Sequence, residues 1–184
     1  MSEQINIDCV IGIDPGHNGG IAVFVKGRNV KTIKMPKTNE DLRDFLIYYA
    51  DNFKPIIFLE KVSVRPDDIS QDESGKANMG KIFRIQQMLA NYEHLKAIIE
   101  VVGIPYIMIH PMSWQTKLKL RTKGEEKADR KRRYRELAGQ LYPIRTTLWN
   151  ADALLIMHFG RYALANELSW VQANLPKTEK YKLF

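Results

Sequence analysis

The sequence contains a single cysteine, Cys9, among its 184 residues. One cysteine cannot form a disulfide within the chain, and it cannot supply the several thiolates of a cysteine-rich zinc site. Because Cys9 lies inside an apolar run, we expect it to be a core residue. Internal repeats and low-complexity tracts are also missing from the sequence, so no repeat architecture is expected.

Long apolar runs are missing as well. No run reaches the roughly 20 residues that a membrane-spanning helix needs. The segment from Met1 to Asp8 is too polar and too short to be a secretory signal peptide. We therefore expect a soluble cytoplasmic protein that has no membrane partner.

The composition is that of a folded, basic protein. An apolar content of 45% argues against disorder, and 184 residues are enough for one domain with a substantial core. We place this domain at residues 1–170 and a polar, basic C-terminal tail at residues 171–184. The formal net charge of +7 favours a polyanionic partner such as nucleic acid.

Two apolar segments end on an acidic residue. Residues 5–13 predict a buried strand that ends at Asp14, and a glycine-containing turn and a second apolar run, residues 21–25, complete a hairpin signal. Residues 56–59 predict another buried strand, which ends at Glu60. If the two strands are parallel neighbours, the acids lie side by side, and a divalent cation between them would relieve their repulsion. Alternatively, Asp14 only caps the turn and Glu60 is a surface residue.

The remaining sequence alternates helical and strand patterns, which indicates an α/β fold. A polar segment, residues 62–76, predicts a flexible loop beside the paired acids. The other predicted elements are an edge-like strand over 29–35, helices over 39–50 and 77–102, a strand over 104–109, a short helix over 111–118, and helices over 125–141 and 149–168.

Several apolar and aromatic residues have more than one interpretation. In the long helix over 77–102, Met79, Phe83 and Met88 are expected to be core side chains, although Phe83 is also a candidate for stacking on DNA bases. In the short helix, Trp114 is expected to be buried. His110 ends a strand and could be a metal ligand, but a single histidine in such a place is more often structural.

A strongly basic segment lies between Lys117 and Arg135 and contributes most of the net positive charge. A solvated helix surface is the usual explanation for such a run, but this concentration of cations favours contact with phosphates. The candidate DNA-binding residues are Lys117, Lys119, Arg121, Lys123, Lys127, Arg130 and Lys131.

A third acid, Asp152, lies in the first turn of the last predicted helix. One interpretation is that its charge only stabilises the helix dipole, which is worth up to about 1 kcal/mol. The other is that the start of the helix carries a third carboxylate to Asp14 and Glu60.

In combination, these segments resemble the RuvC family of Holliday junction resolvases, within the RNase H-like superfamily. The resemblance covers about residues 7–162, and two of its blocks are similar to phage-type members. The matching motifs are Ile11–Gly16, Phe58–Val62, Gly103–Tyr106 followed by Pro111 and Trp114, and finally Leu141–Pro143 with Ala151–Ile156.

The resemblance implies a mixed five-stranded sheet with an antiparallel three-stranded portion, flanked by helices. It implies a homodimer in a bacterial or phage-infected host that cuts a four-way DNA junction by paired symmetric nicks, leaving 5′-phosphate and 3′-hydroxyl ends. Asp14, Glu60 and Asp152 would be the catalytic residues and would bind two Mg²⁺ ions, for which Mn²⁺ can substitute.

The sequence departs from the family pattern at one position. The family usually has another acid, or a histidine, a few residues before the position of Asp152, whereas this chain has Asn150 close before it. The amide oxygen of Asn150 is therefore a tentative fourth metal ligand.

Two other functions remain open from the sequence. One is a phage nuclease that cuts flaps and other branched DNA, and the other is a DNA-junction binder that has lost catalysis. An actin-like phosphotransferase would need a second glycine-rich hairpin, which the sequence lacks, so no nucleotide cofactor is expected.

Overall fold

Five strands form a single mixed sheet in this computed structural model, which describes residues 6–16, 18–64 and 78–176. The first three strands are antiparallel neighbours, while the fourth is parallel to both the first and the fifth. This confirms the mixed sheet and its antiparallel portion. The strand order is β3-β2-β1-β4-β5, with β1 Cys9–Asp14, β2 Gly20–Val25, β3 Lys31–Lys34, β4 Pro55–Glu60 and β5 Tyr106–Ile109.

Six helices within the described residues flank the sheet, and their ends follow local sequence signals. The Thr38 hydroxyl caps the first helix by accepting a hydrogen bond from the Asp41 amide at 3.1 Å. Gly103 ends the second helix in the left-handed conformation, with φ 83°. The helices are α1 Asn39–Asn52, α2 Met79–Val102, α3 Pro111–Lys117, α4 Lys127–Leu141, α5 Ala151–Asn166 and α6 Leu168–Asn174.

The sheet buries both of its faces because successive strand side chains point in opposite directions. Cys9 and Ile11 belong to a core shared with α1 and α2, which confirms the expected burial of Cys9. Val10 and Phe58 belong to the other core, which contains α5 and parts of α3, α4 and α6. By this alternation, Asp14 and Glu60 lie on the α5 side of the sheet.

Helix α5 rests directly on β1 at Gly12. A Cβ atom at Gly12 would lie 2.3 Å from the Met157 amide nitrogen and 2.5 Å from the Ala153 carbonyl oxygen. Only glycine allows two backbones to approach this closely. The contact places the first turn of α5 beside the end of β1.

One predicted helix was wrong. The helix predicted over 149–168 is two helices, because α5 ends at Asn166 and α6 begins at Leu168. Helix α6 crosses the predicted domain boundary at residue 170, and Val171 is fully buried. The folded region therefore extends into the segment assigned to the tail. Residues 65–77, most of the predicted loop, and residues 177–184 lie outside the described residues.

The predicted burial of three side chains in α2 was also wrong. Met79, Phe83 and Met88 are 71%, 60% and 39% exposed. The buried residues of α2 all lie in its second half, where the helix packs against α1. The first half of α2 therefore presents apolar side chains to solvent. Within the described ranges, no helix is long and apolar enough to cross a membrane.

Candidate active site

Three acids from separate elements approach one another on the α5 side of the sheet. Asp14 and Glu60 are the last residues of β1 and β4, directly after Ile13 and Leu59, which are partners in the parallel register. Asp152 lies in the first turn of α5 and is only 5% exposed. The two acid-terminated strands are thus parallel neighbours, which is the condition under which the sequence places Asp14 and Glu60 side by side.

Each carboxylate accepts a hydrogen bond from a different donor. Asp14 Oδ1 accepts from the Gly16 amide at 3.1 Å, which forms the expected turn cap. Glu60 Oε1 accepts from the Trp114 indole Nε1 at 2.9 Å. Asp152 Oδ2 accepts from the Lys131 ammonium group. The other oxygen of Asp152, Oδ1, is buried and has no hydrogen-bond partner among the described residues.

Electrostatic repulsion couples the three acids. Burial, followed by the charge of Asp14 and more weakly that of Asp152, raises the pKa of Glu60 to about 7. The Trp114 hydrogen bond and the Lys131 charge oppose this increase. Burial and the charge of Asp152 also raise the pKa of Asp14. Three ionised carboxylates at this place therefore need additional positive charge.

Trp114 supports the site in a way that the sequence analysis missed. Its predicted burial is confirmed, since the side chain is fully buried on α3. Its ring packs edge-on against Tyr134 of α4 with centroids 5.4 Å apart. The indole N–H restrains Glu60. A buried tryptophan usually needs a hydrogen-bond acceptor, and this requirement was the available sequence signal.

The donor atoms fit a hard divalent cation, but the three side chains do not yet surround one metal position. Carboxylate oxygens are the ligands that Mg²⁺ prefers, and the unpartnered Asp152 Oδ1 is a free acceptor for a cation. Across the described residues, no group of three or more His, Cys, Asp or Glu side chains is already arranged around one metal position. Metal binding therefore requires the three side chains to come closer together, while each carboxylate keeps an oxygen that accepts no hydrogen bond from the three donors above.

Asn150 is fully engaged in structural hydrogen bonds. Its Oδ1 accepts from the Thr147 amide at 2.7 Å and the Thr147 hydroxyl at 3.1 Å. Its Nδ2 donates to Thr32 Oγ1 at 3.2 Å and to the Arg145 carbonyl at 3.1 Å. These four bonds use the whole capacity of the amide. In this structure the amide therefore fixes the start of α5, and Asn150 would have to give up at least one of these bonds to act as a metal ligand.

The candidate DNA-binding cations fall into two groups. Lys117 pairs with Glu167 and lies 4.8 Å from the Tyr162 ring centroid, while Lys131 pairs with Asp152. These two side chains are thus committed to partners within the fold. The others, which make no ion pair with any described residue, are Lys119, Arg121, Lys123, Lys127 and Arg130.

Arg133 holds the basic loop before α4 in place. Its guanidinium pairs with Glu125 at 2.7 Å and donates to the Leu120 carbonyl at 2.5 Å and the Thr122 hydroxyl at 2.7 Å. The loop that carries Arg121 and Lys123 is therefore tied to the same helix that delivers Lys131 to the acids.

His110 does not join the three acids. The residue is exposed at the start of α3, and its side chain makes no capping hydrogen bond to that helix. It also makes no hydrogen bond to Asp14, Glu60 or Asp152 within the described structure. The described structure therefore gives His110 no contact with the three acids and no capping role in α3.

The fold is similar to that of RuvC from Thermus thermophilus. The structure of T. thermophilus RuvC in complex with a Holliday junction substrate aligns with a TM-score of 0.51 and 13% identity over 88% of this chain and 96% of that chain. Another Thermus thermophilus RuvC structure aligns with a TM-score of 0.49 and 14% identity over 91% of this chain and 98% of that chain. A scan of protein-family models and a search of curated proteins gave no match. At 13% identity, the likeness to the junction-bound structure establishes the fold alone: the chain has the architecture of RuvC.

Proposed function

We propose that the protein is a structure-selective, metal-dependent endonuclease of RNase H-like fold that resolves four-way DNA junctions by paired symmetric nicks. The observation that carries this proposal is the approach of Asp14, Glu60 and Asp152 on one face of the sheet, beside a basic helix. The shared architecture supports branched DNA as the substrate, since RuvC with this fold binds a Holliday junction.

The three acids would bind two Mg²⁺ ions, or Mn²⁺ in their place. When bound, the ions would supply the positive charge that stabilises the transition state at the scissile phosphate. The chain itself orients the acids: the Gly16 amide holds Asp14, the Trp114 indole holds Glu60, and the packing of α5 on Gly12 holds Asp152. The expected products are 5′-phosphate and 3′-hydroxyl ends.

The unpaired cations would bind the DNA backbone. Lys127 lies one helical turn before Lys131 on α4, so the two side chains share a face of the helix. Lys119, Arg121 and Lys123 continue the positive charge into the loop before this helix. Phosphate contacts carry little sequence information, which suits an enzyme that recognises the shape of a junction.

Paired symmetric nicks require two active sites, so we propose a homodimer. The first half of α2 supports this proposal, because Met79, Phe83, Met88 and Leu89 are exposed there. Such a concentration of exposed apolar side chains on one helix is typical of a surface that another protein covers. A second copy of the chain would supply both the cover and the second site.

Cleavage of synthetic four-way junctions, flaps and linear duplexes, with and without Mg²⁺, tests the proposal. Asp14→Asn should abolish cleavage, by at least about a hundredfold, because the amide cannot neutralise a metal ion. Junction binding should survive, since the basic residues remain. Asp51→Asn, a change of the same kind at an exposed acid of α1, is the matched control and should cleave normally. Normal cleavage by Asp14→Asn would contradict the assignment.

The same substrates distinguish the proposed function from two others. A junction binder without catalysis, which the missing fourth acid of the family pattern leaves open, would bind the junction but nick no substrate at any Mg²⁺ concentration. A broader phage nuclease would cut flaps as fast as four-way junctions. Preferential, Mg²⁺-dependent and symmetric nicking of the four-way junction would rule out both.

A further inference from the structure

The ammonium group of Lys131 lies among the acids that would bind metal. Lys131 reaches from α4 to Asp152 Oδ2, and the Asp152 side chain is 8% exposed. The Lys131 charge also lowers the pKa of both Asp14 and Glu60 against the effect of burial, so its influence extends to all three acids. In this structure, Lys131 therefore supplies positive charge to the acids.

A divalent cation and this ammonium group compete for the same carboxylate. The ammonium carries one charge and occupies Oδ2 of Asp152, while Oδ1 stays buried without a partner among the described residues. A cation of double charge that binds both oxygens would satisfy Asp152 more completely. Lys131 can withdraw, because its side chain is 34% exposed and its four-carbon stem is flexible.

We propose that Lys131 is an internal counter-cation that holds Asp152 in the metal-free protein and leaves it when a divalent cation binds. The released ammonium then lies on the same face of α4 as Lys127, where it is available to bind a DNA phosphate. Metal binding would thus add Lys131 to the protein surface that binds DNA. This inference rests on the proposed function, since it assumes that the three acids bind metal.

Calorimetric titration of the DNA-free protein with Mg²⁺ alone tests the competition. Lys131→Met removes the competing charge, so Mg²⁺ should bind more tightly, within the roughly 5- to 150-fold range that is typical of coupled equilibria. Without metal, the variant should melt at a lower temperature than the wild type. Addition of Mg²⁺ should raise the melting temperature of the variant by more than it raises that of the wild type. Lys131→Gln, which removes the charge but keeps a hydrogen-bond donor, is the second variant and should show the same direction of change.

Arg135→Met is the matched control. It removes one positive charge from an exposed position one turn further along α4, so it should leave the Mg²⁺ affinity unchanged. If the wild type binds Mg²⁺ and neither Lys131 variant binds it more tightly, the counter-cation role is wrong while the proposed function stands. If neither the wild type nor the Lys131 variants bind Mg²⁺ or Mn²⁺, the metal site itself is wrong and the proposed function fails with it.

Discussion

At the scale of single residues, Asn150 shows how a polar side chain next to an active site can be structural. Its position shortly before Asp152 suggested a metal ligand, but its amide makes four hydrogen bonds within the protein. Two of its partners, Thr32 and Arg145, belong to β3 and to the loop before α5. The amide therefore connects the edge of the sheet to the segment that positions Asp152.

Asn150→Asp separates the two interpretations. A carboxylate cannot donate to Thr32 and Arg145, and it would bury an unpaired charge, so we expect a loss of about 3 kcal/mol in the free energy of unfolding and no gain in Mg²⁺ affinity. Urea unfolding and calorimetric titration measure these effects. Asn91→Asp, at an exposed position of α2, should change stability by less than about 0.5 kcal/mol. Tighter metal binding by Asn150→Asp would restore the ligand interpretation.

Glu60 makes the stability of the metal-free protein depend on pH. Its pKa is about 7 in the folded protein and 4.5 in the reference state, so the folded state holds a proton that the unfolded state has lost between these values. The free energy of unfolding should therefore fall as pH rises from 4.5 to 7, by up to about 3 kcal/mol from this group. Thermal unfolding in the presence of a chelator measures the fall.

The control for this pH dependence is Glu60→Gln. The glutamine variant cannot lose a proton, so the decrease that Glu60 causes between pH 4.5 and 7 should disappear, leaving the contribution of Asp14, whose pKa is also raised. Equal pH dependence in the variant and the wild type would show that the environment of Glu60 does not favour its protonated form.

At the scale of elements, the sequence predicted the sheet and most helices because their signals are local. Apolar runs marked β1 and β4, and helical patterns marked α1 and α2, where Thr38 and Gly103 are the capping residues in the structure. The first half of α2 was predicted incorrectly for a physical reason. Helical periodicity identifies apolar side chains, but it does not say whether the same chain covers them. Met79 and Phe83 are in the predicted helix and yet exposed.

The candidate site was predictable only in part. Two acids at the ends of adjacent parallel strands must lie near each other, so Asp14 and Glu60 could be paired from the sequence. The donors that hold the acids come from distant elements: Trp114 reaches Glu60 from α3, and Lys131 reaches Asp152 from α4. Sequence spacing does not encode such contacts, because they depend on how the helices pack on the sheet.

At the scale of the whole molecule, the proposed reaction demands more than one chain. Two nicks related by symmetry need two active sites related by a two-fold axis, and each site here is built from one chain's own acids. The buried residues of α2 lie in its second half, which packs against α1, while the first half offers exposed apolar side chains. The first half of α2 is therefore the part of this helix that another molecule could cover.

The double substitution Met88→Glu with Leu89→Glu tests this interface. Burying two carboxylates in an apolar contact is costly, so in light scattering we expect a monomer for the variant and a dimer for the wild type. Val101→Glu, at the other end of α2 and 80% exposed, is the control and should remain a dimer. The monomeric variant should also lose paired nicking. If instead Val101→Glu dissociates the protein, the two copies meet at the α1 end of the helix, and the exposed first half of α2 serves another purpose.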